Sequence, residues 1–353
     1  MMQRKERRSN FELLRLLAIS VIVIGHLCGQ SAIAGTSVEA NRIVALLLGG
    51  GGRIAVNVFL LLGAWFMVDS RFRPERIVRL YLQVALYSIP LTAVLLIMGC
   101  AGGARNVLQG FLPFLGRPLW FATAYISLVA LSPYLNLVFR LDDRGLSRLA
   151  VALVLVFSLT ATVPSYTAPE YLADFAWFPV VYILVGWAKR VRAFDLLPGK
   201  WVSLFLGIGV GGVLLVARLQ PSSAWVASYW LVHLQSLPNI LSAVLIFNAF
   251  RLFDIGVVRG INWMASSVFS VYIVHQVPAF IACEWDVIFC AGALKDMAPV
   301  WFAAFVATVP IALVVILAIA DRLYMRPAEK AIERTPAFGF VLRILRWMYP
   351  SEG

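Results

Sequence analysis

Three ionisable side chains stand inside apolar stretches of this sequence, where charge is costly unless it faces protein or water. Arg15 and His26 lie in the first stretch, Asn10 to Gln30, and His275 ends a later one. On an α-helix, Arg15 and His26 are eleven residues apart, so their side chains lie about 20° apart around the helix axis and ~16 Å apart along it. Both side chains therefore share one face, which we predict to face inward.

Histidine suits the removal of a proton from a hydroxyl group, because its unperturbed pKa is near neutrality. We predict that His26 and His275 take part in such chemistry. The structural alternative is a histidine that is hydrogen-bonded inside a helix bundle. His233, the third histidine, precedes an apolar stretch and is either a solvated or capping residue or part of a site.

The composition predicts a membrane protein. The chain has 353 residues, of which 61% are hydrophobic and 14% charged, and its mean hydropathy is +0.86. We expect an all-α, polytopic bundle of about ten transmembrane helices that forms a single domain, 1–353, with short tails at about 1–10 and 325–353. The spans are predicted near 11–30, 46–68, 78–98, 119–139, 148–164, 176–188, 202–218, 236–253, 262–282 and 300–321. The first span is not expected to be a cleaved signal peptide.

The net charge of +12 reflects membrane topology and does not indicate a nucleic-acid partner. With the N-terminus in the cytoplasm, 23 of the 30 lysines and arginines fall in inner segments and 5 in outer ones, namely Arg42, Arg105, Arg117, Arg218 and Lys295. This bias predicts a multi-pass protein of the cell membrane with both termini in the cytoplasm. All four cysteines then lie toward the outer side, where Cys283 and Cys290 could form a disulfide or remain free.

An inner loop, residues 70–83, carries Arg71, Arg73, Arg76 and Arg79. These arginines could form a topology anchor at anionic lipid, or a cationic mouth for a phosphorylated donor that arrives from the cytoplasm. Residues that could line an acceptor site lie toward the outer side, namely Trp120, Tyr125, His233, Asn239 and Tyr272. Aromatic residues at that level also form ordinary interfacial belts.

Other chemistries lack their motifs. The sequence has no HExxH, CxxC or carboxylate-rich cluster for a metal, no GxSxG and no phosphate-binding glycine loop. None of the 18 acidic residues falls near the centre of a predicted span, which disfavours a proton-coupled transporter. We expect no metal cofactor.

Four segments together resemble the integral-membrane acyltransferase-3 family, in particular bacterial O-acetyltransferases of cell-surface polysaccharides. They are SNFELLRLLAISVIVIGH, AVNVFLLLGAWF with the arginine loop that follows it, LWFATAYISLVALSPYLN, and SSVFSVYIVH. Two positions depart from the family pattern: Gly63-Ala64 replaces a common Ser-Gly, and Ser270 replaces a common glycine.

The resemblance implies transfer of an acyl group, usually acetyl from cytoplasmic acetyl-CoA, to a sugar hydroxyl at the outer face. It implies a catalytic role for His26, as general base or transient acyl carrier, with Arg15 as its partner arginine. It places Arg76 and Arg79 in donor binding, and we add Arg15 to that set. The ~16 Å between Arg15 and His26 is comparable to the reach of a pantetheine arm. The expected partners are lipid bilayer, acyl-CoA and an extracytoplasmic glycan.

Two alternatives differ in class. A transporter of glycans or lipid intermediates would move its substrate without consuming CoA. If the protein is a structural membrane scaffold, substitution of Arg15 or His26 would change only the abundance of the protein.

Overall fold

The computed structural model describes residues 8–114, 118–163, 170–281 and 283–349, apart from the side chains of residues 170–173. Most of the predicted N-terminal tail lies outside these ranges, as do four of the basic residues that entered the charge count, Arg4, Lys5, Arg7 and Arg117. Within the described ranges the chain is helical and contains no strand. The predicted all-α fold is confirmed.

The helices follow one another with short connections. They are α1 (Ser9–Gln30), α2 (Glu39–Gly49), α3 (Gly52–Met67), α4 (Pro74–Ile97), α5 (Ala104–Phe111), α6 (Trp120–Leu135), α7 (Asp143–Leu153), α8 (Thr160–Thr162), α9 (Glu170–Arg190), α10 (Lys200–Ala217), α11 (Ala224–Val232), α12 (Leu237–Leu252), α13 (Arg259–Ala265), α14 (Val268–Val274), α15 (Ala291–Leu294), α16 (Pro299–Ala320), α17 (Arg326–Glu333) and α18 (Pro336–Met348). Single turns of 3₁₀-helix span Ala32–Gly35, Asn136–Arg140 and Ala193–Leu196, and π-helical turns span Val154–Leu159, Cys283–Ile288 and Asp321–Met325.

Seven helices within the described residues are long and apolar enough to cross a membrane, and an eighth span is possible if α11 and α12, bent by 58°, count as one. The chain is therefore a multi-pass membrane protein. Each of the ten predicted spans overlaps one or more helices, although the ninth, 262–282, continues past the end of α14 into turns. Neither α9 nor the broken pair α13–α14 is among the seven or eight candidates. The number ten stays a prediction.

Helix α1 lies at the centre of the bundle, in contact with α2, α3, α12, α13, α14 and α16. Glycines let these helices approach closely. A Cβ on Gly25 of α1 would lie 3.1 Å from the carbonyl oxygen of Gly49 in α2, and one on Gly49 would lie 2.9 Å from Cβ of Cys28. The end of α1 that carries His26 is therefore held against the α2–α3 junction.

The C-terminal helices α17 and α18 lie against α4. Arg346 of α18 forms an ion pair with Glu75 at 2.6 Å, and the ring of Tyr349 lies 4.5 Å from that of Phe72. The segment that the sequence assigned to a tail is thus folded onto the arginine loop.

The four cysteines are all free in the structure. Cys28 is buried, Cys283 is partly exposed, and Cys100 and Cys290 are exposed. Cys283 and Cys290, which could have formed a disulfide or remained free, are free thiols in the structure.

Candidate active site

A cavity of about 560 Å³ lies inside the bundle and receives side chains from α1, α3, α4, α6, α11, α13 and α14. Arg15 and His26 both line it, as do Ile19 and Ile22 between them. The inward-facing stripe predicted from the helical period is therefore present. The cavity extends along at least the ~16 Å of α1 that separates Arg15 from His26.

The two predicted histidines contact each other across the bundle. His26 Nδ1 lies 2.8 Å from His275 Nε2, and the ring centroids are 5.0 Å apart. His275 is fully buried and does not line the cavity, whereas His26 is partly exposed and does. His26 can therefore reach a ligand directly, and His275 can act only through His26.

The hydrogen bonds of His275 determine which nitrogen of His26 carries a proton. His275 caps α14, and its Nδ1 lies 2.5 Å from the carbonyl oxygen of Val271, one turn earlier. A carbonyl oxygen only accepts, so Nδ1 of a neutral His275 is protonated and its Nε2 accepts a hydrogen bond. Nδ1 of His26 is then the donor, which leaves the lone pair of a neutral His26 on Nε2.

A glutamine that the sequence analysis did not identify completes this network. The amide nitrogen of Gln276 lies 3.1 Å from Oε1 of Gln30 and 3.0 Å from the carbonyl oxygen of His275, so both amide hydrogens have an acceptor. An amide nitrogen cannot accept, so its 3.1 Å contact with Nδ1 of His26 is not a hydrogen bond when Nδ1 donates to His275. Gln276 also joins α1 to the end of α14 through Gln30.

The arginines Arg15 and Arg76 line the same cavity, as expected for a site that binds phosphate. Arg15 donates to Glu12 at 2.7 Å, and Nη2 of Arg76 donates to the hydroxyl oxygen of Tyr125 at 2.6 Å. Glycine at position 63 leaves room for this tyrosine, because a Cβ there would lie 3.2 Å from Cε2 of Tyr125. Gly63, which departs from the family pattern, thus packs closely against Tyr125, the residue that bonds to Arg76.

Arg79 is placed differently from its neighbour Arg76. Its Nε donates to Glu333 at 2.6 Å and lies 3.8 Å from Glu329, both in α17, and its side chain is 55% exposed. It does not line the cavity. Its predicted role in donor binding stays a prediction.

The predicted acceptor residues divide into two groups. Trp120, Tyr125 and Tyr272 line the cavity. The hydroxyl oxygen of Tyr272 also accepts the backbone N–H of Phe121, one of the free amide groups at the start of α6. Ser270, the other departure from the family pattern, is buried on the same helix as Tyr272.

His233 and Asn239 do not line the cavity. His233 stacks on Tyr229 at 4.1 Å, and the side-chain amide of Asn239 donates to the carbonyl oxygens of Trp230, at 2.7 Å, and His233, at 2.9 Å. Asn239 thereby satisfies backbone groups at the bend between α11 and α12. The assignment of both residues to an acceptor site remains a prediction.

Two cavity arginines were not singled out from the sequence, Arg53 and Arg218. Arg53 forms an ion pair with Asp174 at 2.6 Å, and its guanidinium lies 5.4 Å from the ring centroid of Trp120. The available signal was an arginine at the rim of a span, directly after the glycine run. Among the described residues, no group of three or more His, Cys, Asp or Glu side chains is arranged to hold a metal ion.

A family model described as an acyltransferase domain, family 3, matches residues 8–319 of the chain. No curated protein and no solved structure matches it. The matched range contains α1 to α16 almost completely, and with them the cavity and the histidine pair. The chain belongs to the acyltransferase-3 family and is a multi-pass membrane acyltransferase.

Proposed function

We propose that this protein transfers an acyl group, ordinarily acetyl, from a CoA thioester to a hydroxyl of an extracytoplasmic glycan. The observation that carries the proposal is the single cavity shared by His26, Arg15 and Arg76. It offers phosphate-binding groups and a histidine base at two positions ~16 Å apart along one helix. From the charge bias of the loops we infer that the protein lies in the cell membrane with both termini in the cytoplasm.

Arg15 and Arg76 bind the donor in this proposal. Guanidinium groups bind phosphate through paired hydrogen bonds, and both arginines lie on the cavity. The phosphates of CoA would remain near the arginine loop while its pantetheine arm extends toward His26. Arg79, which pairs with α17, could join them only by leaving Glu333.

His26 acts as the general base through Nε2. The acceptor hydroxyl gives its proton to this nitrogen while its oxygen bonds to the thioester carbonyl carbon. The carbon–sulfur bond breaks, and the sulfur leaves with a proton from His26 as the CoA thiol. The same lone pair serves the alternative in which His26 itself carries the acyl group between donor and acceptor.

His275 positions the base. Its Nε2 accepts from Nδ1 of His26, which fixes the ring of His26 and keeps its lone pair on Nε2. Trp120 and Tyr272, which also line the cavity, offer aromatic faces to a sugar. His233 and Asn239 could contact only a part of the acceptor that extends beyond the cavity.

The test compares cells that lack the protein with cells that express wild type, His26→Ala or an exposed control, Arg42→Gln. Mass spectrometry of cell-surface glycans measures ester-linked acyl groups, and immunoblotting confirms equal abundance. We expect one ester to be restored by wild type and Arg42→Gln but not by His26→Ala. Its mass also identifies the acyl group.

Release of free CoA from acyl-CoA by membrane vesicles of the same cells separates this function from the transporter alternative. We expect release that depends on His26. Full restoration of the ester by His26→Ala would contradict the assigned base. Glycan movement with no ester and no CoA release would favour a transporter.

A further inference from the structure

Arg218 lines the cavity at the end of α10 and has no role in the mechanism above. Within residues 8–114, 118–163, 170–281 and 283–349, its guanidinium makes no ion pair or side-chain hydrogen bond. The other three arginines on the cavity each have a polar partner, namely Glu12 for Arg15, Asp174 for Arg53 and the Tyr125 hydroxyl for Arg76. Of the four cavity arginines, Arg218 is the one whose charge has no polar partner among the described residues, so its charge can pair with a ligand.

The guanidinium of Arg218 lies at the His26 end of the cavity. Its Nη1 is 3.6 Å from the position of a Cβ on Gly50. The preceding residue, Gly49, has its carbonyl oxygen 3.1 Å from the Cβ position of Gly25, which precedes His26. Arg218 is therefore separated from the turn that carries His26 by the α2–α3 junction alone.

This position argues against a role in binding the phosphates of the donor. Arg15 lies ~16 Å from His26 along α1. The charge pattern of the loops assigns Arg76 to the inner side and Arg218 to the outer side. An anion held by Arg218 would belong to the molecule that presents its hydroxyl to His26. Because the group is partly withdrawn from water, a carboxylate or phosphate would gain from pairing with it.

We propose that the acceptor is an acidic glycan, and that Arg218 binds its carboxylate or phosphate group while a neighbouring hydroxyl lies at His26. The inference rests on the proposed function, since it names the class of acceptor for the same site. It makes Arg218 a specificity-determining residue, with Arg53 already occupied by Asp174.

The experiment uses the cells described above, with Arg218→Gln, Arg218→Lys and the control Arg105→Gln. Arg105 is exposed, is predicted on the same side of the membrane and does not line the cavity. Released glycans are separated by anion exchange into neutral and acidic fractions. Their ester content is measured by mass spectrometry and normalised to protein abundance.

We expect the wild-type ester in the acidic fraction. Arg218→Gln should lower it at least tenfold, Arg218→Lys should keep part of it because the charge remains, and Arg105→Gln should leave it unchanged. The KM for acyl-CoA, from CoA release by vesicles, should stay within twofold of wild type in Arg218→Gln. Tandem mass spectrometry of the esterified fragment distinguishes a uronic-acid carboxylate from a phosphate.

Each other outcome overturns the inference in a recognisable way. A wild-type ester confined to the neutral fraction excludes an acidic acceptor, whether or not any variant folds. If Arg218→Gln keeps the wild-type level of ester, Arg218 does not bind the acceptor, and its charge would instead contact lipid phosphate. A raised KM for acyl-CoA in that variant would assign it to the donor. Absence of any ester that depends on the wild-type protein would instead refute the proposed function itself.

Discussion

Nδ1 of His26 lies 2.8 Å from Nε2 of His275, although 249 positions separate the two residues in the chain. The contact joins α1 to the end of α14. Because His275 donates from Nδ1 to the carbonyl oxygen of Val271, its Nε2 accepts the hydrogen bond from His26. One histidine faces the cavity and the other is buried behind it. His26 is therefore the residue that can contact a ligand, and His275 is the residue that orients His26.

Replacing His275 should affect the rate of transfer through the orientation of His26. His275→Leu removes the acceptor for Nδ1 of His26, and we expect kcat to fall about 100-fold, within the range for general-base catalysis. His275→Gln keeps an acceptor oxygen and should recover most of that loss. The KM for acyl-CoA should be unchanged in both. Equal activities of the Leu and Gln variants would contradict a positioning role.

The hydrogen bond between Arg76 and the Tyr125 hydroxyl should contribute to donor binding. Tyr125→Phe removes a bond to a charged group, worth about 1.5–3 kcal/mol, and leaves the ring in place. We expect the KM for acyl-CoA to rise roughly tenfold while kcat changes little, as measured by CoA release. The matched control is Tyr134→Phe, whose hydroxyl bonds to the backbone of Met348 away from the cavity. A similar KM change in both variants would contradict the assignment.

Arg76 and Arg79, which the sequence treats alike, should behave differently when substituted. We expect Arg76→Gln to raise the KM for acyl-CoA at least tenfold. Arg79→Gln should raise it less than about threefold and change stability by under about 1 kcal/mol, because its pair with Glu333 is exposed. Equal increases in KM would show that Arg79 leaves α17 to bind the donor.

Glu284 should make the stability of the protein depend on pH. It lies in the turn beyond α14, is fully buried, and its carboxyl oxygens have no hydrogen-bond partner among the described residues. Burial raises the pKa of this carboxyl from the ordinary 4.5 to about 8. The folded protein then holds a proton that the unfolded chain releases, so stability falls as pH rises from about 4.5 to 8.

Glu284→Gln removes that proton equilibrium. Each unit of pKa shift corresponds to about 1.4 kcal/mol, so we expect the melting temperature of wild type in detergent to fall by several degrees between pH 5 and 8. The Gln variant should lose most of this dependence. Asp286→Asn, which changes an exposed carboxylate in the same turn, serves as the control. An unchanged pH dependence in Glu284→Gln would refute the prediction.

The sequence by itself determined the helical, membrane-embedded architecture and the first helix of the site. Long apolar runs must form helices in lipid because their backbone groups find no water there. The 3.6-residue period then places Arg15 and His26 on one face, whatever surrounds them. The cost of burying ionisable groups indicated that this face is directed inward, and the cavity confirms it.

Tertiary structure alone decided which side chains meet that face. Helical period relates residues on one helix but carries no information on which helices pack together, so the contacts of His26 with His275 and Gln276 had no local signal. The same holds for Arg218, which joins the cavity where the end of α10 packs against Gly50 at the α2–α3 junction. It also holds for Arg79, which shares a loop with Arg76 but is paired by a helix from the C-terminus.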